Sequence, residues 1–176
     1  VRDHQTPGVT REIDLNVLSQ EQGGRVLFLG ETLATWTTER HDDGTATLVL
    51  FDQTRPGVVR VTDLDAQGHE TAIREYRLEG STNRAAIVQP ANLLTETVSI
   101  TYEADGRARL QVLDHTRPGL VRVIERDALG RETQVQEYQL RGSTDITAIV
   151  QPANLKNTQR STYADQDATI PVGLVT

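Results

Sequence analysis

A tandem repeat with a period of sixty-two residues constrains the fold of this chain more than any single motif does. The sequence Thr-Arg-Pro-Gly begins at Thr54 and again at Thr116, and Gln-Pro-Ala-Asn-Leu begins at Gln89 and again at Gln151. Across the 40 positions that contain both motifs no gap is needed, and 26 pairs are identical. Turn motifs at a fixed period are typical of repeat architectures. We therefore expect two structurally equivalent copies.

Short alternating runs between regularly spaced turns predict β-strands. Turn signals recur about every 8–12 residues, as in an antiparallel meander, and those that precede the first strand of the alternating pattern in each copy contain Gly44 and Gly106. Leu48 and Leu50 share one face of a run that Leu110 and Val112 repeat in the second copy, with Val49 on the opposite face. No sustained helical stripe of apolar residues occurs. We predict an all-β fold of two tandem antiparallel repeats, sandwich-like or arranged as one pseudo-symmetric body, with few or no helices.

Two local features refine the expected strands. Arg-Pro-Gly at 55–57 suits a type II turn, since proline presets the first central residue and glycine accepts a positive φ at the second. Ile73 and Tyr76 differ in parity along one predicted strand, which a β-bulge would explain.

Three regions follow from the repeat. We predict an N-terminal arm or partial cap at 1–32, a first β repeat at 33–107, and a second β repeat with a C-terminal strand or tail at 108–176. Residues 168–172 resemble the strand that opens each copy, yet no third copy follows them. Both ends therefore hold parts of incomplete units, whose edge strands favour pairing with another chain. The alternatives are that the ends fold back onto their own chain, or that the chain is cut from a longer array.

Composition limits the classes of partner and location. The net charge of −7 argues against nucleic acid, and no apolar run is long enough to be a transmembrane segment. Cysteine is absent, so neither disulfides nor thiolate metal sites are expected. The chain begins with Val1 rather than methionine, which indicates either a removed leader or a piece of a longer protein. We expect a secreted protein, extracellular or at the cell surface.

The repeat also tests candidate chemistry, because a ligand used by every copy should recur. The histidines do not recur, so we expect no histidine-based metal site or general base. The segment 62–70 partly matches a calcium loop, but its acidic spacing is incomplete and a polar hairpin turn explains it. Arg60 and Glu75 recur on adjoining strands, where a cross-strand ion pair is the simplest interpretation. We predict no catalytic, cofactor-binding or metal residues and no enzymatic activity.

The Gln-Pro-Ala-Asn-Leu segments, which are identical in the two copies, have two possible roles. Proline would end a strand while asparagine bonds nearby backbone and leucine fills the core, or the loop would contact another repeat or chain. The candidate assembly contacts are Ile13, Leu15, Val17, Gln89, Asn92, Gln151, Asn154, Ile170 and Val172.

Turn sequences carry a resemblance to a known family. The segments 102–107 (Tyr-Glu-Ala-Asp-Gly-Arg) and 127–132 (Asp-Ala-Leu-Gly-Arg-Glu) resemble the Tyr-Asp-x-x-Gly-Arg turns of the tyrosine–aspartate repeats in Rhs-type secreted bacterial proteins. The likeness covers a few turns; the present period is longer, and the Tyr-Asp pair itself is broken. It implies an extracellular, strand-rich repeat without chemistry of its own.

The function expected from these features is structural. We expect a non-enzymatic secreted repeat protein that forms a fibre, surface layer or adhesive stalk, with subunits joined head to tail by strand addition through terminal arms. Its main partner is a second copy of itself, and a cell-surface component or glycan is a further possible partner. The alternative is a carbohydrate- or surface-binding β module, which needs exposed aromatic rings. An enzyme ranks third.

Overall fold

The computed structural model describes residues 9–78, 83–140 and 149–162, and within them the protein is all-β. The strands are β1 (Val9–Leu15), β2 (Glu21–Phe28), β3 (Glu31–Arg40), β4 (Ala46–Asp52), β5 (Val58–Leu64), β6 (Glu70–Arg77), β7 (Leu93–Tyr102), β8 (Ala108–Asp114), β9 (Leu120–Arg126), β10 (Glu132–Gln139) and β11 (Leu155–Arg160). One short α-helix, α1 (Arg84–Ile87), and two 3-10 turns, Pro90–Asn92 and Pro152–Asn154, complete the described elements. The predicted all-β fold with few helices is confirmed.

Contacts along the chain divide it into two compact units, Val1–Leu93 and Leu94–Thr176. In the first unit, β1 to β6 form an antiparallel meander in which each strand pairs with the next. In the second unit, β7 to β11 pair in the same sequential way.

The strands repeat with the period of the sequence. The bounds of β7, β8, β9 and β10 are those of β3, β4, β5 and β6 moved on by sixty-two residues, and β11 begins one further period after β7. The register repeats as well, because Leu50 pairs with Arg60 as Val112 pairs with Arg122. The expected strands after Gly44 and Gly106 are therefore present.

The Arg-Pro-Gly turn has the geometry that its sequence predicts. The amide of Val58 donates to the carbonyl of Arg55 at 3.3 Å, which places Pro56 and Gly57 at the two central positions. Gly57 has φ +86°, the left-handed value that a type II turn requires there. The carboxylate of Asp52 accepts from the amide and the hydroxyl of Thr54 and closes the loop before this turn.

Strand β4 is buried on both faces, which differs from the expected half-buried alternation. Leu48 and Leu50 join one apolar cluster, while Val49, only 3% exposed, joins another. The segment after β6 explains the second cluster, because its helix α1 carries Ile87 into contact with the face that includes Val49 and Tyr76. Leu48, Leu50, Leu110 and Val112 are all buried, as predicted.

The parity change along β6 has a different cause from the predicted bulge. Pairing with β5 is continuous from Ala72 to Arg77, so Ile73 and Tyr76 simply lie on opposite faces of a regular strand. Both are buried, at 6% and 5% exposure. The register irregularity lies earlier, opposite Asp63 and Leu64. Burial of both faces, rather than a bulge between the two residues, produces the pattern.

Candidate functional site

The N-terminal candidate contacts lie on a hairpin formed by β1 and β2. Ile13 and Leu15 belong to β1, and Val17 lies in the following turn. Ile13 packs beside the apolar cluster that contains Trp36, whereas Leu15 is 58% and Val17 100% exposed. The carboxamide oxygen of Asn16 accepts two backbone amides and holds this turn in place. Of these three residues, Leu15 and Val17 are thus accessible to a partner.

The hairpin is fixed to the first repeat through Trp36 of β3. The indole Nε1 donates to Glu21 Oε1 at 2.7 Å, and the guanidinium of Arg11 stacks over the ring at 4.9 Å. Arg11 also pairs with Glu21, at 3.3 Å. Trp36 is only 7% exposed as a result. Stacking of a cation on an indole and a charge-assisted hydrogen bond both strengthen this junction.

Strand β11 presents an accessible surface in the second unit. It pairs with β10 from Gln134 to Tyr138, and all six of its side chains are exposed. Leu155 is 39% exposed, although its counterpart Leu93, one period earlier, is half-buried and packs against the cluster of the first unit. The candidate contacts Ile170 and Val172 lie outside the described residues.

The Gln-Pro-Ala-Asn-Leu segments serve a structural role in both units. Asn92 Nδ2 donates to the carbonyls of Ala86 and Ile87 at 3.2 and 3.1 Å, and Asn154 Nδ2 donates to Ile149 at 3.0 Å. Each amide thereby satisfies a carbonyl at the end of a helical turn, where no intrahelical donor is available. The proline begins a 3-10 turn before the next strand instead of ending one, which corrects the expected role of Pro90.

The glutamines of these segments are placed similarly. Gln89 Nε2 donates to the carbonyl of Ala85 at 2.6 Å. The backbone amide of Gln151 donates to the carbonyl of Ile149 at 2.7 Å. These bonds lie in the segments that connect β6 to β7 and β10 to β11, which we call the crossovers. Asn92, Asn154 and Gln89 make them through their side chains and Gln151 through its backbone amide.

The repeated ion pair is present in the first copy. Arg60 lies directly opposite Glu75, and its Nη2 is 3.2 Å from Glu75 Oε1, as the sequence predicted. Arg55, from the turn before β5, contributes a second bond to the same oxygen at 2.7 Å. Burial raises the pKa of Glu75, but the hydrogen bond from Arg55 and the charges of Arg60 and Arg55 outweigh it and hold this pKa at about 2.

The second copy keeps the arginine–glutamate contact from the turn. Arg117 Nη2 is 2.7 Å from Glu137 Oε1, and its Nε is 2.8 Å from Asp114 Oδ2. Burial raises the pKa of Asp114, but hydrogen bonds from Thr116 and Arg117 lower it below its usual range. The retained acids therefore stabilise turns and strand pairs.

The segments that partly match a calcium loop are folded as polar turns. Asp65 Oδ1 accepts from the amides of Gln67 and His69, and Asp127 Oδ1 accepts from those of Leu129 and Arg131. These carboxylates thus close their own hairpins. Among the described residues there is no group of three or more His, Asp or Glu side chains that could hold a metal ion.

Three of the six aromatic rings in the described ranges are buried, and Trp36 is one of them. Tyr76 and Tyr138 are 5% and 6% exposed and belong to equivalent core clusters in the two units. Tyr102 and Phe28 are exposed, each at 42%. Within the described residues, each unit thus has one exposed aromatic ring, whereas a sugar-binding platform uses several.

The sequence patterns do not predict two sets of residues that pack or bond in the structure. Ile87 and Ile149 are the buried plugs of the crossovers, at 2% and 1% exposure, and their place in repeated Ala-Ile-Val runs was the available signal. The contacts of Arg11 and Glu21 with Trp36 had no such signal, because they lie outside the aligned copies and depend on the hairpin register.

Comparisons with protein-family models, with curated proteins and with solved structures find no match to this chain. In the part of the chain that the structure describes, no helix is long and apolar enough to cross a membrane.

Proposed function

We propose that this chain is a non-enzymatic structural repeat protein that assembles head to tail with copies of itself through strand addition. The setting of this proposal is an extracellular fibre, surface layer or adhesive stalk, because repeats that stack on their neighbours suit extended assemblies. The family resemblance supports the extracellular β repeat alone. The observation that carries it is the pair of outer strands: within the described ranges, β1 pairs with β2 alone and β11 with β10 alone. Outer strands present backbone donors and acceptors that another strand can satisfy.

The side chains on these strands support assembly. Leu15 and Val17 are exposed at one end of β1, and Leu155 is exposed at the start of β11. Strand addition gains affinity from main-chain hydrogen bonds and specificity from alternate side chains. Contacts between unlike surfaces of identical subunits continue indefinitely unless the rotation closes a ring, so they generate filaments.

The carbohydrate-binding alternative receives less support. Trp36, Tyr76 and Tyr138 are buried within their units, and the two charged clusters around Glu75 and Glu137 are ion pairs rather than open polar pockets. These rings and acids therefore pack or pair within their own units.

Negative-stain microscopy of the purified chain tests the proposal, with elongated particles as the expected result. Deletion of residues 166–176 should abolish those particles while the circular dichroism of the β fold is retained. Leu129→Ser, which replaces an exposed leucine in the β9–β10 turn, is the control and should assemble normally. Isolated single particles from the intact chain at high concentration would refute the proposed function.

A further inference from the structure

The hairpin β1–β2 reproduces the register of the last two strands of a repeat. Val9 pairs with Phe28, and in the second copy Val121 pairs with Tyr138. The next four residue pairs between β1 and β2 correspond one by one to the next four pairs between β9 and β10. Each of the two pairings then has a one-residue irregularity near its end. Sequence similarity does not reveal this correspondence, since only the valine is shared.

The pairing of β2 with β3 confirms the assignment independently. Phe28 lies opposite Glu31, and Tyr138 lies opposite Leu155, which is the position of Glu31 two periods later. Gly24 lies opposite Trp36, as Gln134 lies opposite Arg160, again two periods on. Each pairing contains one register shift of a single residue between these anchors. Strand β2 therefore stands in the place of β10, and β1 in the place of β9.

Burial agrees with the equivalence where the surroundings are the same. Val9 is 7% exposed, and its counterparts Val59 and Val121 are 0% exposed. Phe28 is 42% exposed although Tyr138 is buried, because the two-residue turn at 29–30 replaces the crossover that carries the isoleucine plug. The hairpin is thus the second half of a four-stranded unit without its crossover.

This equivalence specifies which strand fits the outer edge of β1. In both complete copies that edge pairs with the strand before it, β4 with β5 and β8 with β9, in the same register. Residues 170–176 lie one period after β8 and two periods after β4. They contain no charged residue and consist mainly of residues that favour strands. By sequence position they are therefore the counterpart of β4 and β8.

The sequence before this segment lacks the glycine that its counterparts have in their hairpins. Gly44 and Gly106 have φ values of +86° and +85° in the hairpins that join β3 to β4 and β7 to β8. The corresponding position one period later is Ala168. A residue with a Cβ is disfavoured in the left-handed region by roughly 1–2 kcal/mol. The sequence around Ala168 therefore favours such a hairpin less than the two glycine-containing sequences do.

We infer that residues 170–176 of a second copy add as an antiparallel strand to the outer edge of β1, in the place that β4 takes beside β5 and β8 takes beside β9. The shared register places Val175 opposite Val9, Leu174 opposite Thr10 and Val172 opposite Glu12, by transfer of the β8–β9 pairs. The inference rests on the proposed head-to-tail assembly and specifies its contact and register.

Cysteine cross-linking tests this register, since the natural chain has no cysteine. Thr10→Cys and Leu174→Cys are made as separate variants, mixed in equal amounts and incubated in a glutathione redox buffer. Each chain then has one thiol, so a mixed disulfide joins two copies. The expected result is a mixed dimer in at least tenfold excess over that from Thr10→Cys with Gly173→Cys, whose side chains would point to opposite faces of the strands.

The outcomes separate the inference from the proposed function. A monomer with an internal disulfide in the double variant Thr10→Cys/Leu174→Cys would show that the segment returns to its own chain and would overturn the inference. Filaments from variants that do not cross-link in this register would also overturn it while the proposed function stands. Absence of both filaments and cross-links would overturn the two together.

Discussion

Gly24 lies directly opposite Trp36, and a Cβ added at Gly24 would come 2.6 Å from the Cζ2 atom of the indole ring. The same Cβ would also collide with the carbonyl oxygen of Glu12 on β1. The glycine therefore leaves room for the indole ring beside β2 while β1 pairs with the other edge of that strand. Since Trp36 is the sole tryptophan, its fluorescence reports directly on the docking of the N-terminal hairpin.

Gly24→Ala should loosen this junction. The methyl group would displace either the indole or β1, and overpacking of this kind costs typically about 1–3 kcal/mol. We expect a red-shifted Trp36 emission and a lower midpoint of urea unfolding. Gly30→Ala is the control, because nothing lies within 4 Å of its Cβ position. The φ of +91° at Gly30 adds about 1 kcal/mol of backbone strain to this variant. An unchanged emission in Gly24→Ala would contradict the described packing.

Asn92→Ala and Asn154→Ala should destabilise their crossovers to similar extents. Each removes the side-chain donor to a carbonyl at the end of a helical turn, at a cost of about 1–2 kcal/mol. Chemical denaturation of both variants provides the measurement. If either variant keeps wild-type stability but loses assembly, the asparagines are contacts between copies rather than structural caps.

Ile87→Ala and Ile149→Ala should be among the most destabilising substitutions in the described residues. Each empties a buried site in equivalent clusters, and truncation of buried isoleucine costs about 2–5 kcal/mol. Val17→Ala, at a fully exposed position, should change the free energy of unfolding by less than about 0.5 kcal/mol. Thermal unfolding compares the three, and equal midpoints would contradict the role of the isoleucines as plugs.

Stability should fall in acid through Glu75. Its pKa is about 2 in the folded chain and near 4.5 as its ordinary value. Because the folded pKa is depressed, the stabilisation is complete above about pH 4.5 and is lost as the pH falls from there towards 2, by at most about 3 kcal/mol. Glu75→Gln should flatten the dependence of unfolding free energy on pH in this window. Glu103→Gln, at an exposed turn, is the matched control, and equal slopes for all three proteins would refute the prediction.

The sequence predicted most of the repeated fold because its signals are local. Turn glycines, the Arg-Pro-Gly sequence and alternating apolar residues each constrain a few neighbouring residues. Because the period is fixed, each strand that is predicted in one copy is also predicted at the equivalent position of the other copy. The pair Arg60–Glu75 could be predicted because it needs only adjacent strands in a meander.

Features that depend on a distant segment packing over a strand could not be predicted in the same way. Alternation along β4 predicts that Val49 faces outward. Nothing in the sequence of β4 indicates that Ile87, some forty residues later, packs on that face. The register of the N-terminal hairpin was equally hidden, because β1 shares the position of β9 but hardly its residues. Likewise Asn92 appeared in the sequence as a possible contact between copies, and only its distances to Ala86 and Ile87 show its capping role.

Sedimentation velocity of the intact chain across a hundredfold range of concentration tests the central claim most directly. Head-to-tail addition predicts a weight-average sedimentation coefficient that rises continuously with concentration, and a chain without residues 166–176 that remains at the monomer value throughout. A single monomeric boundary for the intact chain at the highest concentration would contradict self-assembly.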